Sequence, residues 1–186
     1  MKMIKTVMAG AVAMALVSFG ANADPAAVTL PVNQGQGVVN FKGTVINSPC
    51  SIAQESADQT INFGQISKNQ LEKGGTSVRK DLDIKLMNCD FTAGKNTIKV
   101  TFSGTPIIAH NNELGTTGDT GTAIALASAD GSLVTFDGTT AGGATQLKNG
   151  DNILKYSAWV KKSSATGATI KEGDFSAVAN FNLTYQ

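Results

Sequence analysis

The stretch "GDFSAVANFNLTYQ", residues 173–186, most constrains what this chain can fold into. Phe175, Ala177, Ala179, Phe181, Leu183 and Tyr185 occupy every second position. Ser176, Asn180, Asn182, Thr184 and Gln186 lie between them, with Val178 the one apolar exception. Period two is the pattern of a strand with one face buried. Such a strand is not stable alone; it requires neighbours in a sheet and something over its apolar face. A strand in the middle of a complete sandwich would alternate in the same way, so what covers this face has to be decided from the rest of the chain.

The same period recurs upstream. Val39, Phe41, Gly43 and Val45 alternate with Asn40, Lys42 and Thr44, so the first ordered stretch also reads as a strand. "DQTINFG" places Ile61 and Phe63 before Gly64 as a short strand. In "DLDIKLMNC", Leu82, Ile84 and Leu86 face inward, and in "NTIKVTFSG", Ile98, Val100 and Phe102 do. "AIALAS" and "SLVTFDG" flank Asp130-Gly131, a hairpin signal. "ILKYSAWVKK" is a strand facing inward either with Leu154, Tyr156, Ala158 and Val160 or with the opposite set that holds Trp159. "NNELGTTGDTGT" and "GTTAGGATQLKNGDN" read as loops, and "SKNQLEKGG" as one helical turn stopped at Gly74. No long amphipathic helical stripe occurs. Many short strands with turns between them predict an all-β sandwich, immunoglobulin-like in architecture.

The first 23 residues have the layout of an export signal. Lys2 and Lys5 precede the uncharged apolar run Val7–Phe19, and Ala21-Asn22-Ala23 gives the small-x-small pattern cleaved on export. The mature chain is then expected to start at Asp24. Loss of two lysines takes the formal charge from +1 to −1. A near-neutral chain with scattered charge gives no electrostatic reason to expect nucleic acid as partner. The two cysteines, Cys50 and Cys89, most simply form one disulfide in an oxidising compartment. Closing that loop is worth about 3–4 kcal/mol by chain entropy. A metal site lacks ligands: there is no CxxC and only one histidine.

Nothing in the sequence assembles catalytic machinery. His110 has no GxSxG serine to activate, and "GTTGDTGT" lacks the lysine of a phosphate loop. Asp81, Asp83, Asp119, Asp137 and Asp174 are scattered over strand exteriors and turns. A periplasmic β-sandwich enzyme would need an activity dependent on Asp137 or His110. A sugar-binding module would need exposed aromatics, whereas Trp159, Tyr156 and Tyr185 read as strand interior. No metal or small-molecule cofactor is expected.

Four stretches together carry a family likeness: "GQGVVNFKGTVINSPCSI", "DQTINFGQISK", "LDIKLMNC" and "FSAVANFNLTYQ". Through them, essentially the whole chain resembles the pilins of the chaperone–usher pathway. The resemblance implies an incomplete immunoglobulin-like sandwich lacking its seventh strand, completed by a donor strand from a chaperone or another subunit. It implies a signal peptide over 1–23, an N-terminal donor extension over 24–46 and a pilin domain over 47–186. The donor face would be Gly37, Val39, Phe41, Gly43 and Val45, with Gly43 at the narrow part of a neighbour's groove. Phe175, Ala177, Ala179, Phe181, Leu183 and Tyr185 would line the chain's own groove, and the Gln186 carboxylate would anchor in the chaperone. The implied function is that of a major structural subunit of an adhesive fimbria on a Gram-negative cell. The alternative within the pathway is a minor adaptor pilin. Implied partners are copies of itself and other pilins, a periplasmic chaperone and an outer-membrane usher.

Overall fold

The apolar alternation of the sequence is realised as two facing sheets. The computed structural model describes residues 37–91 and 95–186; the export-signal reading falls outside them. The strands are β1 (Ser51–Ile52), β2 (Lys80–Cys89), β3 (Thr97–Ser103), β4 (Pro106–Ile107), β5 (His110–Gly115), β6 (Thr122–Ser128), β7 (Asp137–Ala141), β8 (Thr145–Gln146), β9 (Gly150–Lys162) and β10 (Asn180–Tyr185). Two short helices, α1 (Gln54–Ala57) and α2 (Lys68–Glu72), lie between β1 and β2. One sheet has the order β1-β2-β9-β6-β5-β4 and the other β10-β3-β7, with β8 also on β3. Every pairing is antiparallel. The all-β sandwich expected from sequence is what the chain forms.

The core lies between the two sheets and follows the pleat. Ile84 and Leu86 from β2, Ile98, Val100 and Phe102 from β3, Leu126 from β6, and Leu154 and Ala158 from β9 are buried together. Phe102 meets Tyr156 edge-on at 5.1 Å between ring centroids, a favoured aromatic geometry. Of the two faces open to β9, Leu154, Tyr156, Ala158 and Val160 is therefore the one turned to the core. Trp159 points to the other side and is buried as well, beneath the Arg79 guanidinium at 3.9 Å from the ring centroid.

Cys50 and Cys89 form a disulfide with a sequence separation of 39. It stands where β1 pairs with β2, Ser51 opposite Met87, so the bridge locks the register of a two-residue strand.

Several local expectations are corrected. Asn111, Asn112 and Glu113 belong to β5 rather than a loop, and Glu113 is buried. The 138–152 stretch holds β7, β8 and the start of β9. Ile61 and Phe63 make no strand, because no neighbour pairs with them among the described residues. Beyond Asp130-Gly131 the second arm is held by one bridge, Leu133 to Ala127, rather than a full ladder. The helical turn at α2 and its glycine stop are as expected, with Gly74 at φ +80°.

The described chain parts into Gly37–Thr44, which belongs to a separate N-terminal unit, and the body Val45–Gln186. Within Gly37–Thr44 there is no regular secondary structure, and Val39 and Phe41 are 73% and 91% exposed. The strand read there from alternation exists as pattern without a partner among the described residues, since a β-ladder needs a second chain segment to bond. Neither Gly37 nor Gly43 has a positive φ, so the local backbone does not call for glycine at either position.

Candidate functional site

The last strand decides the site. Gln186 donates its N–H to Thr97 at 2.8 Å and accepts from the Thr97 N–H at 3.3 Å. In an antiparallel ladder such bonded pairs alternate, so Asn180, Asn182 and Thr184, opposite Ser103, Thr101 and Lys99, also turn their backbone groups toward β3. The N–H and C=O groups of Phe181, Leu183 and Tyr185 then face the opposite edge of β10. Among the described residues no strand pairs with that edge. The side chains of the same three residues point at the core yet stay half-buried. Backbone and side chains alike stand as though one strand were missing beside them.

Beside this edge opens a groove of about 1440 Å³. Its floor is the sandwich core itself, including Phe102, Leu114, Leu126, Phe136 and Ala158. One wall is the Ile170–Ala179 stretch that leads into β10, carrying Phe175 and Ala177; the other is the unpaired stretch with Ile61, Phe63 and Ile66. The walls meet at one end, where the Phe63 and Phe175 rings lie 6.4 Å apart. Two buried hydroxyls interrupt the apolar lining: Thr120 and Thr122 share a hydrogen bond of 2.8 Å, and Thr116 extends the chain at 2.9 Å.

The groove residues expected from sequence divide as follows. Ala177, Phe181, Leu183 and Tyr185 pack half-buried against the main core, and Phe175 against Leu71, Val160 and Ile170. Ala179 borders the groove but is exposed, because the strand proper starts only at Asn180. Gln186 is exposed. Val45, in the body, is fully exposed. The Tyr185 hydroxyl is shut away from solvent without a hydrogen-bond partner, the Ser48 side chain standing beside it outside bonding geometry. Burial pushes the Tyr185 ionisation up, and Ser48 offsets this only in part.

Sequence reasoning missed Ile170, Thr120, Thr122 and the role of the unpaired Ile61–Ile66 stretch as a groove wall. A lone isoleucine in a polar link was the only signal for the first. Ile61 and Phe63 were legible as apolar and half-buried, but their covering partner was not.

Two further groups are shifted by their surroundings. Burial pushes Tyr156 up to about 12, with the Asp130 charge adding to it. Hydrogen bonds from the Thr140 side chain and from the Thr140 and Thr139 amides hold Asp137 down at about 2. No three His, Cys, Asp or Glu side chains among the described residues are grouped to hold a metal ion. No helix among them is long and apolar enough to cross a membrane.

Comparison with known proteins agrees with this geometry. Residues 39–186 match the family described as Fimbrial protein. The chain is 58% identical over 191 residues to the Pap fimbrial major pilin protein of Escherichia coli, covering 99% of this chain and all of the relative. It superposes on a subunit from a chaperone–usher pilus with a TM-score of 0.78 at 56% identity, over 83% of this chain and 98% of that one. The crystal structure of the P pilus rod subunit PapA matches with a TM-score of 0.71 at 55% identity, over 75% of this chain and all of that one. Its fold is thus the immunoglobulin-like sandwich that lacks a strand. The chain belongs to the Fimbrial protein family: it is a pilin, a structural subunit of a fimbria on the bacterial surface.

Proposed function

We propose that this pilin polymerises by strand donation, as a major subunit of the fimbrial rod. The extension over 24–46 presents Gly37, Val39, Phe41, Gly43 and Val45 to the groove of a neighbouring copy, whose body spans 47–186. A periplasmic chaperone fills the groove first, with the Gln186 carboxylate as its anchor, and the exchange takes place at an outer-membrane usher. Residues 1–23 serve as the export signal. A donor arm marks the chain as a subunit that can be extended from both ends, and its likeness to major pilins favours the rod over an adaptor position. The role is structural rather than catalytic.

The observation that carries this reading is the open edge of β10 above an apolar groove. Filling it would cover the half-buried faces of Phe181, Leu183 and Tyr185 and bond three N–H and three C=O groups. Burying three donor side chains such as Val39, Phe41 and Val45 is worth about 5–9 kcal/mol, and each ladder bond about 1 kcal/mol net. Association and ordering costs reduce the sum, yet it stays comparable with the whole stability of a small domain, about 5–15 kcal/mol. A head-to-tail contact that does not close on itself generates a filament.

The test is a thermal melt of the full mature chain with and without a synthetic peptide spanning Gln34 to Asn47. A large rise in Tm, abolished by Gly43→Arg in the peptide, is expected. A chain that is already stable alone and indifferent to the peptide would refute strand donation.

A further inference from the structure

The 163–179 segment, which walls the groove from Ile170 onward, has no ladder to hold it. It leaves the end of β9, crosses the 116–122 turn and reaches β10 without pairing as a strand. Its position is set instead by the packing of Ile170 and Phe175 on Leu71 and Val160 and by polar contacts along its length. Lys171 N–H donates to the Thr120 carbonyl at 3.0 Å and Ser163 N–H to the Gly121 carbonyl at 3.0 Å. At the far end the Thr117 N–H and hydroxyl both donate to the Ser176 carbonyl. The turn and the wall touch through backbone: a Cβ on Gly118 would overlap the Asp174 carbonyl oxygen, and one on Gly121 that of Thr169.

At the start of this segment, ahead of the part that walls the groove, stands Glu113, an acid on β5 that is only 3% exposed. Its Oε2 accepts the Ser164 N–H at 2.9 Å. Its Oε1 accepts the Ser164 hydroxyl at 2.6 Å and the Lys161 Nζ at 2.5 Å. A buried ion pair is a poor device for stability alone, since apolar residues of similar volume often do as well. What it supplies here is location. It clamps the backbone at the point where the chain leaves β9, six residues ahead of Ile170.

We propose that Glu113 is a positioning residue for strand uptake: through Ser164 it sets the wall carrying Ile170, Phe175 and Ala177 at the spacing a donor strand requires. The inference rests on the strand-donation reading above. It assigns to an acid outside the groove a control over affinity for the donor.

The experiment measures donor-peptide Kd and thermal midpoint for the full mature chain, using the Gln34–Asn47 peptide. Variants are Glu113→Ala, Glu113→Gln and Gly121→Ala, with Lys155→Ala as an exposed control. A residue that merely stabilised the body would lower the midpoints of the empty and the filled subunit together and leave Kd unchanged. A positioning residue raises Kd. Glu113→Ala is expected to raise it by about tenfold or more. Glu113→Gln, which keeps an oxygen for the Ser164 N–H, should recover much of the affinity. Gly121→Ala, which pushes on the wall from the turn, should weaken binding as Glu113→Ala does. If Glu113→Ala fails to fold, Ser164→Ala, which removes the hydroxyl held by Glu113 Oε1, takes its place and should raise Kd in the same direction, an unchanged Kd overturning the role. Wild-type binding with Kd unchanged in the variants would overturn the positioning role and leave strand donation standing. No peptide binding by the wild type would overturn both.

Discussion

Replacing Cys50 and Cys89 together by alanine should cost the body about 4 kcal/mol. The figure comes from the separation of 39 residues across the bridge and the chain-entropy relation, which gives roughly 13 cal/mol/K for a loop of that size. Both sulfurs are buried, and alanine leaves a small apolar group at each site, so little else is lost in the native state. Converting to temperature needs the unfolding entropy. For a body of about 140 residues, Val45–Gln186, this is about 0.3 kcal/mol/K, so Tm should fall by about 10–15 °C. Calorimetry on the peptide-filled subunit is the suitable assay, with oxidised wild type as reference. A fall of less than about 3 °C would refute the reasoning: it would mean that the denatured loop is already constrained without the bridge.

Other outcomes follow from the packing and the charges. Phe102→Ala removes a side chain in contact with both Tyr156 and Phe181 and should destabilise by about 3–5 kcal/mol, read from urea midpoints. Burial would raise the ionisation of Glu113, but the Lys161 and Ser164 hydrogen bonds outweigh it and hold the carboxyl below its ordinary value. A depressed acid contributes stability above its unfolded pKa that is lost as pH falls through the folded one; Glu113→Gln should therefore flatten the acid limb of the stability profile below about pH 4.5. Both tyrosines of the chain are shifted upward, so absorbance at alkaline pH should stay flat through the usual tyrosine value near 10 and rise only beyond it or on unfolding. Thr140→Ala should bring the Asp137 carboxyl up from about 2 toward the ordinary range, as measured by NMR titration.

The strands that could be read from sequence are those with one buried and one wet face. β2, β3 and β10 announce themselves because inward apolar residues alternate with mostly polar outward ones; β9 read as a strand, but Trp159 on its other face left the inward set open. β5 was hidden because its outward position is filled by a buried acid, Glu113, and its flank by two asparagines. β7 was hidden because "DGTTA" is polar throughout, as a lightly covered edge strand can be. The opposite error fell at Ile61 and Phe63, whose alternation is genuine. Alternation reports one-sided burial, not hydrogen bonding, and these residues are half-covered groove wall without a ladder. The same limit applies to the site. Phe181, Leu183 and Tyr185 were legible as an inward face, but the free edge they expose depends on which strands adjoin β10, and that is a property of topology. Beyond a lone isoleucine in a polar link, nothing in the sequence tied Ile170 or the Thr116–Thr120–Thr122 hydroxyls to the groove, since that association comes from a chain crossing between distant segments.

The disulfide also shapes how this chain bears load. Tension applied between the start of the body and Gln186 reaches Cys50 almost at once and passes covalently to Cys89. The loop that contains both helices and the Ile61–Ile66 wall is bypassed and carries none of it. At about 3.4 Å of contour per residue, a shunt across 39 residues hides about 130 Å of extensible chain. Pulled apart singly, the oxidised subunit should lengthen by that much less than the reduced one, so each link of a stretched fibre has a built-in stop.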